Sequence, residues 1–161
     1  MDDLRGMPLA ELMALLAGIG DELGRRGVSR SANSPTGDLA EYLFSRAMGW
    51  QLTANSRAGY DAVDGAFRRV QIKGLRRHRA RSDRQLGALR DLDARPFDDL
   101  AAVIFGHAWQ VERAVILPWE VVAARAREVA HTRSYRFLLT DEAMAAEGVR
   151  DVTVRVAAAM L

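Results

Sequence analysis

Polar and apolar residues alternate most regularly in residues 61–73. Asp61 begins a short segment whose next two residues are apolar, and Gly65 predicts a turn after it. Beyond the turn, successive side chains would point to opposite faces of a strand. The back of the predicted strand is apolar, so the side chains on its front would be held rigidly. An exposed hairpin produces the same alternation, and the pattern alone leaves both interpretations open. The front carries Phe67, Arg69, Gln71 and Lys73, and the back carries Val70 and Ile72.

Two helices are predicted before this stretch. Leucine and isoleucine recur at three- and four-residue steps after Pro8, which predicts a first amphipathic helix. A second helix is predicted over residues 38–48, with Asp38 as its N-cap. Glu41 lies three positions later, which is the spacing of a capping box, so it has a structural explanation beside a functional one. The apolar positions of the first helix are Leu9, Leu12, Leu16, Ile19 and Leu23.

The remaining predicted elements are shorter. The continuous apolar run at residues 100–105 is typical of a central strand covered on both faces, and residues 110–117 would pair with it as a hairpin. Further elements are predicted as strands at 51–54 and 60–63, a helical stretch at 86–92, a helix at 118–130, a strand at 135–139, a brief helix at 141–147 capped by Thr140, and a terminal segment from about residue 151 that is either helix or strand.

This order of elements predicts a mixed sheet flanked by helices, in an α/β or α+β arrangement. A chain of 161 residues suits one domain, with an N-terminal helix in residues 1–27, a core in 37–117 and a C-terminal part in 118–161. The absence of cysteine excludes disulfides and thiolate metal sites. The start of the chain lacks the order of a secretory signal, and no run of 18 apolar residues occurs, so we expect a cytoplasmic protein.

Basic residues are concentrated in one short segment, although the net charge is only +2. Eight basic side chains fall between residues 68 and 84. Arginine pairs with phosphate oxygens in a fork geometry, so the segment predicts contacts with a nucleic-acid backbone. The alternative is that these arginines are solvated or pair with Asp83, Asp91 and Asp93. The predicted nucleic-acid-binding residues are Arg57, Arg69, Arg76, Arg77, Arg79, Arg81 and Arg84.

Other residue types predict less. His78, His107 and His131 lie in separate segments without metal-ligand spacing, and we interpret them as surface residues. Trp109 and Trp119 are interpreted as core or interface residues. The sequence contains no glycine-rich phosphate loop, nucleophile elbow or dinucleotide fingerprint.

Three short sequence segments, at residues 37–41, 59–63 and 71–74, together resemble the active-site layout of the PD-(D/E)xK nuclease superfamily. They are similar to a small, uncharacterised group of its domains. The resemblance covers residues 37–117, in the superfamily's usual order of helix, strand, strand, helix and strand. It implies a restriction-endonuclease-like fold, here with an extra N-terminal helix.

The resemblance also implies a role for each matching residue. Asp61 would be the metal-binding acid, Gln71 the second ligand, Lys73 the lysine near the scissile phosphate, and Glu41 the helix acid. The backbone carbonyl of Ile72 would be a further ligand. Most members have Glu or Asp where this chain has Gln71, although a Gln-x-Lys variant occurs in restriction-type subfamilies. Oxygen ligands suit Mg²⁺ or Mn²⁺, and a neutral glutamine should hold the ion more weakly than a glutamate.

The leading hypothesis is a metal-dependent endodeoxyribonuclease that hydrolyses phosphodiester bonds of double-stranded DNA. A homodimer would provide one active site for each strand. A second hypothesis keeps the fold without the reaction, as a nucleic-acid-binding or partner-binding module with a weak or inactive site. A third is a structural subunit that dimerises through its N-terminal helix. Gln71 is the residue on which the choice between the first two depends.

Overall fold

A computed structural model of the chain describes residues 4–31, 34–54, 59–77 and 84–161. Several predictions concern residues outside these ranges, namely those for Arg57, His78, Arg79, Arg81 and Asp83. Within the described ranges, no helix is both long enough and apolar enough to cross a membrane.

The described residues form five α-helices, nine strands and three 3₁₀ helices. The α-helices are α1 (Leu9–Arg25), α2 (Pro35–Met48), α3 (Trp119–Ala123), α4 (Asp141–Met144) and α5 (Thr153–Ala158). The strands are β1 (Gln51–Leu52), β2 (Ala62–Val63), β3 (Arg69–Arg76), β4 (Leu89–Arg90), β5 (Asp99–Phe105), β6 (Val111–Pro118), β7 (Arg127–Val129), β8 (Ser134–Arg136) and β9 (Arg150–Asp151). The 3₁₀ helices are Leu4–Gly6, Leu92–Ala94 and Ala130–Thr132.

A mixed six-stranded sheet of order β1-β2-β3-β5-β6-β9 forms the centre of the fold. β3 and β5 run parallel, with Gln71 opposite Leu100 and Lys73 opposite Ala102. The other neighbouring strands are antiparallel, and β5 and β6 form the predicted hairpin. A smaller antiparallel sheet has the order β4-β8-β7. The expectation of a mixed sheet with flanking helices is confirmed.

The central strand β5 is buried along its whole length, as its apolar run predicted. Its side chains alternate between two apolar clusters, one on each face of the sheet. On one face, Val103 and Phe105 join Leu43 and Phe44 of α2. The opposite face carries Leu100, Ala102 and Ile104, which pack with Phe97, Phe137 and Leu139. Both faces must be covered because no residue of this strand is polar between Asp99 and its end.

Helix α2 approaches β3 very closely at Gly74. A Cβ atom on Gly74 would lie 2.6 Å from the carbonyl oxygen of Thr36, so only glycine permits this contact. The fully buried residues of α2 are Ala40, Leu43 and Phe44. This packing determines where the adjacent, largely buried Glu41 projects.

Two predictions at the start of α2 are wrong. The helix begins at Pro35, three residues before the predicted start, because proline suits the first helical position and Ser34 precedes it. Asp38 is therefore inside the first turn and does not cap the helix. Its carboxylate instead accepts hydrogen bonds from Ser29, Arg30 and Ser31. The capping box with Glu41 does not form.

Two further helices differ from prediction. The predicted stretch at 86–92 is β4 followed by a 3₁₀ helix, because Leu86, Leu89 and Leu92 all enter one cluster from an irregular segment. The helix predicted over 118–130 ends at Ala123, since β7 then pairs with β8. The strand predicted at 135–139 is shorter, and the terminal segment is the helix α5.

Phe67 does not share a strand face with Gln71 and Lys73. It lies in the turn before β3 with a φ of +61° and is 87% exposed. Helix α1 has the predicted extent, but none of its residues is buried. Its apolar stripe therefore does not pack into the core.

Candidate active site

Asp61 and Gln71 face each other where β2 begins beside β3. The Asp61 Oδ2 atom accepts a hydrogen bond of 2.7 Å from the Ile72 N–H and another from the Gln71 side-chain amide. The Asp61 backbone N–H donates to the Val70 carbonyl, and its carbonyl accepts from the Thr53 N–H, each at 2.8 Å. The Asp61 main chain is therefore held by both neighbouring segments, and its carboxylate is held by β3.

The carbonyl of Ile72 belongs to the same edge of β3. Backbone groups of alternate residues point to the same side of a strand. The Val70 carbonyl and the Ile72 N–H both bond to Asp61, so the Ile72 carbonyl also points toward this edge. The structure thus brings the Asp61 carboxylate, the Gln71 side chain and the Ile72 carbonyl to one edge of β3, with the amide nitrogen of Gln71, not the predicted ligand oxygen, turned toward Asp61.

Lys73 lies two residues after Gln71 on the same face of β3, and it is half-buried. A Cβ atom on Gly87 would lie 4.0 Å from Lys73 Cδ, so the segment before β4 covers the lysine stem. Burial lowers the pKa of Lys73; the Asp61 charge opposes this effect, and the Arg90 charge adds to it. Arg90 is therefore close to the site, although the sequence did not single it out.

Lys73 is the only lysine among 23 lysine and arginine residues. All the other residues in this count are arginines, so Lys73 is the only side chain that carries a primary amine. An ammonium is a compact point charge whose pKa responds strongly to burial, unlike that of a guanidinium. The choice of residue fits a chemical requirement at this position.

The carboxyl group of Asp61 is also perturbed. Burial raises its pKa above the ordinary aspartate value. The Ile72 N–H, the Lys73 charge, the Gln71 amide and the Arg30 charge act in the opposite direction without cancelling that effect. A buried carboxylate that keeps a net desolvation cost gains from a cation placed beside it.

Glu41 makes an ion pair with Arg30, and both side chains are largely buried, at 18% and 29% exposure. The Glu41 Oε2 atom is the oxygen that the Arg30 guanidinium contacts in this pair. Arg30 also donates to the Thr53 carbonyl at 3.5 Å. Since Thr53 bonds to Asp61, Arg30 connects the Glu41 side of the site to the Asp61 side.

The donor set partly fits a hard divalent cation. It consists of oxygen atoms, which are the ligands that such a cation prefers. However, those residues contain no cluster of three or more His, Cys, Asp or Glu side chains. Any cation here would depend on the amide and carbonyl oxygens of Gln71 and Ile72.

The four predicted nucleic-acid-binding arginines within the described residues all have protein partners. Arg69 pairs with Asp98, Arg77 with Glu112, and Arg84 with Asp141. Arg76 stacks on Trp109, 4.3 Å from the ring centre, and donates to the His107 carbonyl. The predicted partners Asp91 and Asp93 are not used by these arginines in the described residues. Arg57, Arg79 and Arg81 lie outside the described ranges.

No protein-family model matches the chain, and no curated protein matches its sequence. The resemblance carried by residues 37–41, 59–63 and 71–74 therefore remains a prediction.

The sequence did not indicate two basic residues that lie near the site. Arg30 lies in a loop whose composition predicts no regular structure, and Arg90 follows a leucine in a segment predicted as helix. No local pattern marks Arg90. For Arg30, one available signal was the isolated basic residue among serines and asparagine at 29–34.

Proposed function

We propose that the chain is a metal-dependent endodeoxyribonuclease that hydrolyses phosphodiester bonds of double-stranded DNA. The observation that carries the proposal is the meeting of Asp61, Gln71 and Lys73 on one face of the β2–β3 edge, beside the Ile72 carbonyl. A rigid strand pair that presents a carboxylate next to an ammonium suits phosphate chemistry.

Each side chain has a separate task in the proposed reaction. Asp61 and Glu41 would hold Mg²⁺ or Mn²⁺, with the Gln71 amide oxygen and the Ile72 carbonyl completing the oxygen set. When bound, such an ion lowers the pKa of a coordinated water and polarises the phosphate. Lys73 would orient the attacking water or stabilise the negative charge that develops on the phosphate oxygens.

A restriction-endonuclease-like fold is proposed on the same basis. Supporting it are α2, the antiparallel set β1 to β3, and the parallel neighbour β5, which follow one another in chain order. One departure stands against it. The described part of the connection between β3 and β5 contains β4 and a 3₁₀ helix where the superfamily's usual order has a helix.

A second candidate is a nucleic-acid-binding or partner-binding module without catalysis. Two observations favour it: the Gln71 amide donates its hydrogen bond to Asp61, and the described residues contain no group of three His, Cys, Asp or Glu side chains that could hold a metal ion. In that case the Asp61–Gln71 contact would serve only to join β2 to β3.

We further propose that two copies associate through α1, as a homodimer. Leu16, Ile19 and Leu23 line a groove of about 1320 Å³ whose other side includes Leu39 and Met160. A strip along a 17-residue helix, about 25 Å by 10 Å, covers only about 250 Å², well below the roughly 800 Å² per partner of a stable interface. The interface must therefore extend beyond the exposed strip of α1.

The decisive experiment is cleavage of supercoiled plasmid with Mg²⁺ or Mn²⁺. We expect nicking by the unaltered protein and its loss in Asp61→Ala and in Lys73→Ala, while the exposed Glu147→Ala keeps full activity. The binding module would be supported instead if the protein binds DNA without nicking it, if this binding weakens with salt, and if Asp61→Ala leaves it unchanged. Cleavage of RNA but not DNA would contradict the proposed substrate.

A further inference from the structure

Arg30 occupies a position that the metal-dependent reaction does not explain. Its guanidinium lies between Glu41, with which it forms an ion pair, and Thr53, whose carbonyl accepts a hydrogen bond from it. Thr53 in turn bonds to Asp61. The positive charge of the Arg30 guanidinium thus already lies beside Glu41 and acts on the Asp61 carboxylate.

The position of Arg30 is built into the chain rather than incidental. One oxygen of Asp38 accepts from the backbone N–H groups of Arg30 and Ser31 at 2.8 Å each, and from the hydroxyls of Ser29 and Ser31 at 3.2 and 3.0 Å. These four bonds attach residues 29–31 to the first turn of α2. Glu41 is one turn further along the same helix, so loop and acid are held together.

A divalent ion at Glu41 and Asp61 would change the balance at this position. The Arg30 charge would then be repelled by the ion, and Glu41 would no longer be available to it. A guanidinium cannot lose its proton, so it needs another anionic partner. Phosphate oxygens supply one, and they match the guanidinium fork in a bidentate contact.

We propose that Arg30 is a phosphate-binding residue that exchanges Glu41 for a phosphate oxygen of the DNA when a divalent cation binds. The inference rests on the proposed function. In the metal-free protein Arg30 stabilises Glu41 and competes with the cation. In the loaded protein it contacts the DNA backbone next to the reacting phosphate.

Competition is tested by titrating Mn²⁺ into the protein alone in a calorimeter. Arg30→Gln should bind Mn²⁺ at least about threefold more tightly than the unaltered protein, because a competing charge has been removed. Arg125→Gln, which removes an exposed arginine that donates only to the Val121 carbonyl among the described residues, should leave the affinity unchanged. Unchanged or weaker binding by Arg30→Gln would overturn the proposal, since a merely structural arginine orients Glu41 for the metal.

Phosphate binding is tested separately with Mn²⁺ and a short duplex at several salt concentrations. Arg30→Gln should weaken binding and reduce the slope of log affinity against log salt by about 0.9, the value of one phosphate contact. Arg30→Lys keeps the charge without the fork, so it should preserve the salt slope while binding less tightly. A salt slope that is the same in Arg30→Gln and in the unaltered protein would overturn the phosphate contact.

One further variant separates this inference from the proposed function. Asp61→Asn should abolish Mn²⁺ binding in the calorimeter. If it does not, the metal site itself is wrong. If it does, while Arg30→Gln leaves Mn²⁺ affinity unaltered, the metal site stands and only the exchange by Arg30 fails.

Discussion

The side-chain amide of Gln71 donates a hydrogen bond to the carboxylate of Asp61 across the β2–β3 edge. The Ile72 N–H donates to the same oxygen atom. A glutamine at this position therefore stabilises the ionised aspartate without any cation. A glutamate there would place two carboxylates against each other, and a bound cation or the protonation of one of them would relieve their repulsion.

Gln71→Glu should make the protein depend on a divalent cation. Without metal, the loss of a donor to a buried carboxylate should lower the free energy of unfolding by about 1–3 kcal/mol. With Mn²⁺, the added charge should strengthen binding and restore stability. Thermal unfolding with and without Mn²⁺ measures both effects, with the exposed Gln85→Glu as control. A variant that is as stable without metal, or that binds metal more weakly, contradicts this role of Gln71.

Lys73 should titrate below its ordinary value of 10.5, because burial favours the uncharged amine. It is the only lysine, so reductive ¹³C-methylation yields one side-chain signal beside that of the terminal amine. The pH dependence of that NMR signal gives the pKa directly. Asp61→Asn should lower the pKa further by removing the charge that favours the ammonium. A pKa at or above 10.5 would show that Lys73 is not buried as described.

Gly74→Ala should destabilise the fold and displace α2. The added methyl would lie 2.6 Å from the Thr36 carbonyl oxygen, so overpacking should cost about 1–3 kcal/mol. Gly37→Ala is the matched control, because a Cβ there meets nothing within 4 Å and should stabilise α2 by up to about 1 kcal/mol. Denaturant unfolding of both variants measures the difference. Equal stabilities would mean that α2 and β3 are further apart.

Asp98→Asn should reduce stability at neutral pH but not in acid. The Arg69 side chain is the main cause that lowers the pKa of Asp98. The stabilisation is therefore present above the ordinary aspartate pKa and is lost as the pH falls through the lower folded value. For this partly exposed pair we expect a loss of about 1 kcal/mol at pH 7. Urea unfolding at neutral and acidic pH tests this, and a difference independent of pH would contradict it.

A variant with both Leu16→Glu and Ile19→Glu should be monomeric. Both side chains are at least half exposed and line the groove beside α1. Light scattering after size exclusion should give the mass of two chains for the unaltered protein and of one for the variant. Val154→Glu changes another exposed apolar residue, 85% exposed on α5, and should remain dimeric. A monomeric unaltered protein would exclude this interface.

Hydrophobic periodicity by itself determined several of the regular elements. The apolar run of β5, the β5–β6 hairpin, the extent of α1 and the strand that carries Gln71 and Lys73 all follow from local alternation. The meeting of Asp61 with Gln71 was implied only by the resemblance, and in the structure it follows from the antiparallel pairing in which Ala62 lies opposite Val70. The period of the side chains along a strand is a local property, which is why it is legible in the sequence.

Only the tertiary structure decided the electrostatic partners. Arg30 reaches Glu41 because Asp38 binds the loop before α2, and Arg69 is held by Asp98, 29 residues further along the chain. The same cause makes the capping box fail, since the carboxylate of Asp38 has better donors outside its helix. Long charged side chains choose among all groups that folding brings within reach, and those groups are distant in the sequence.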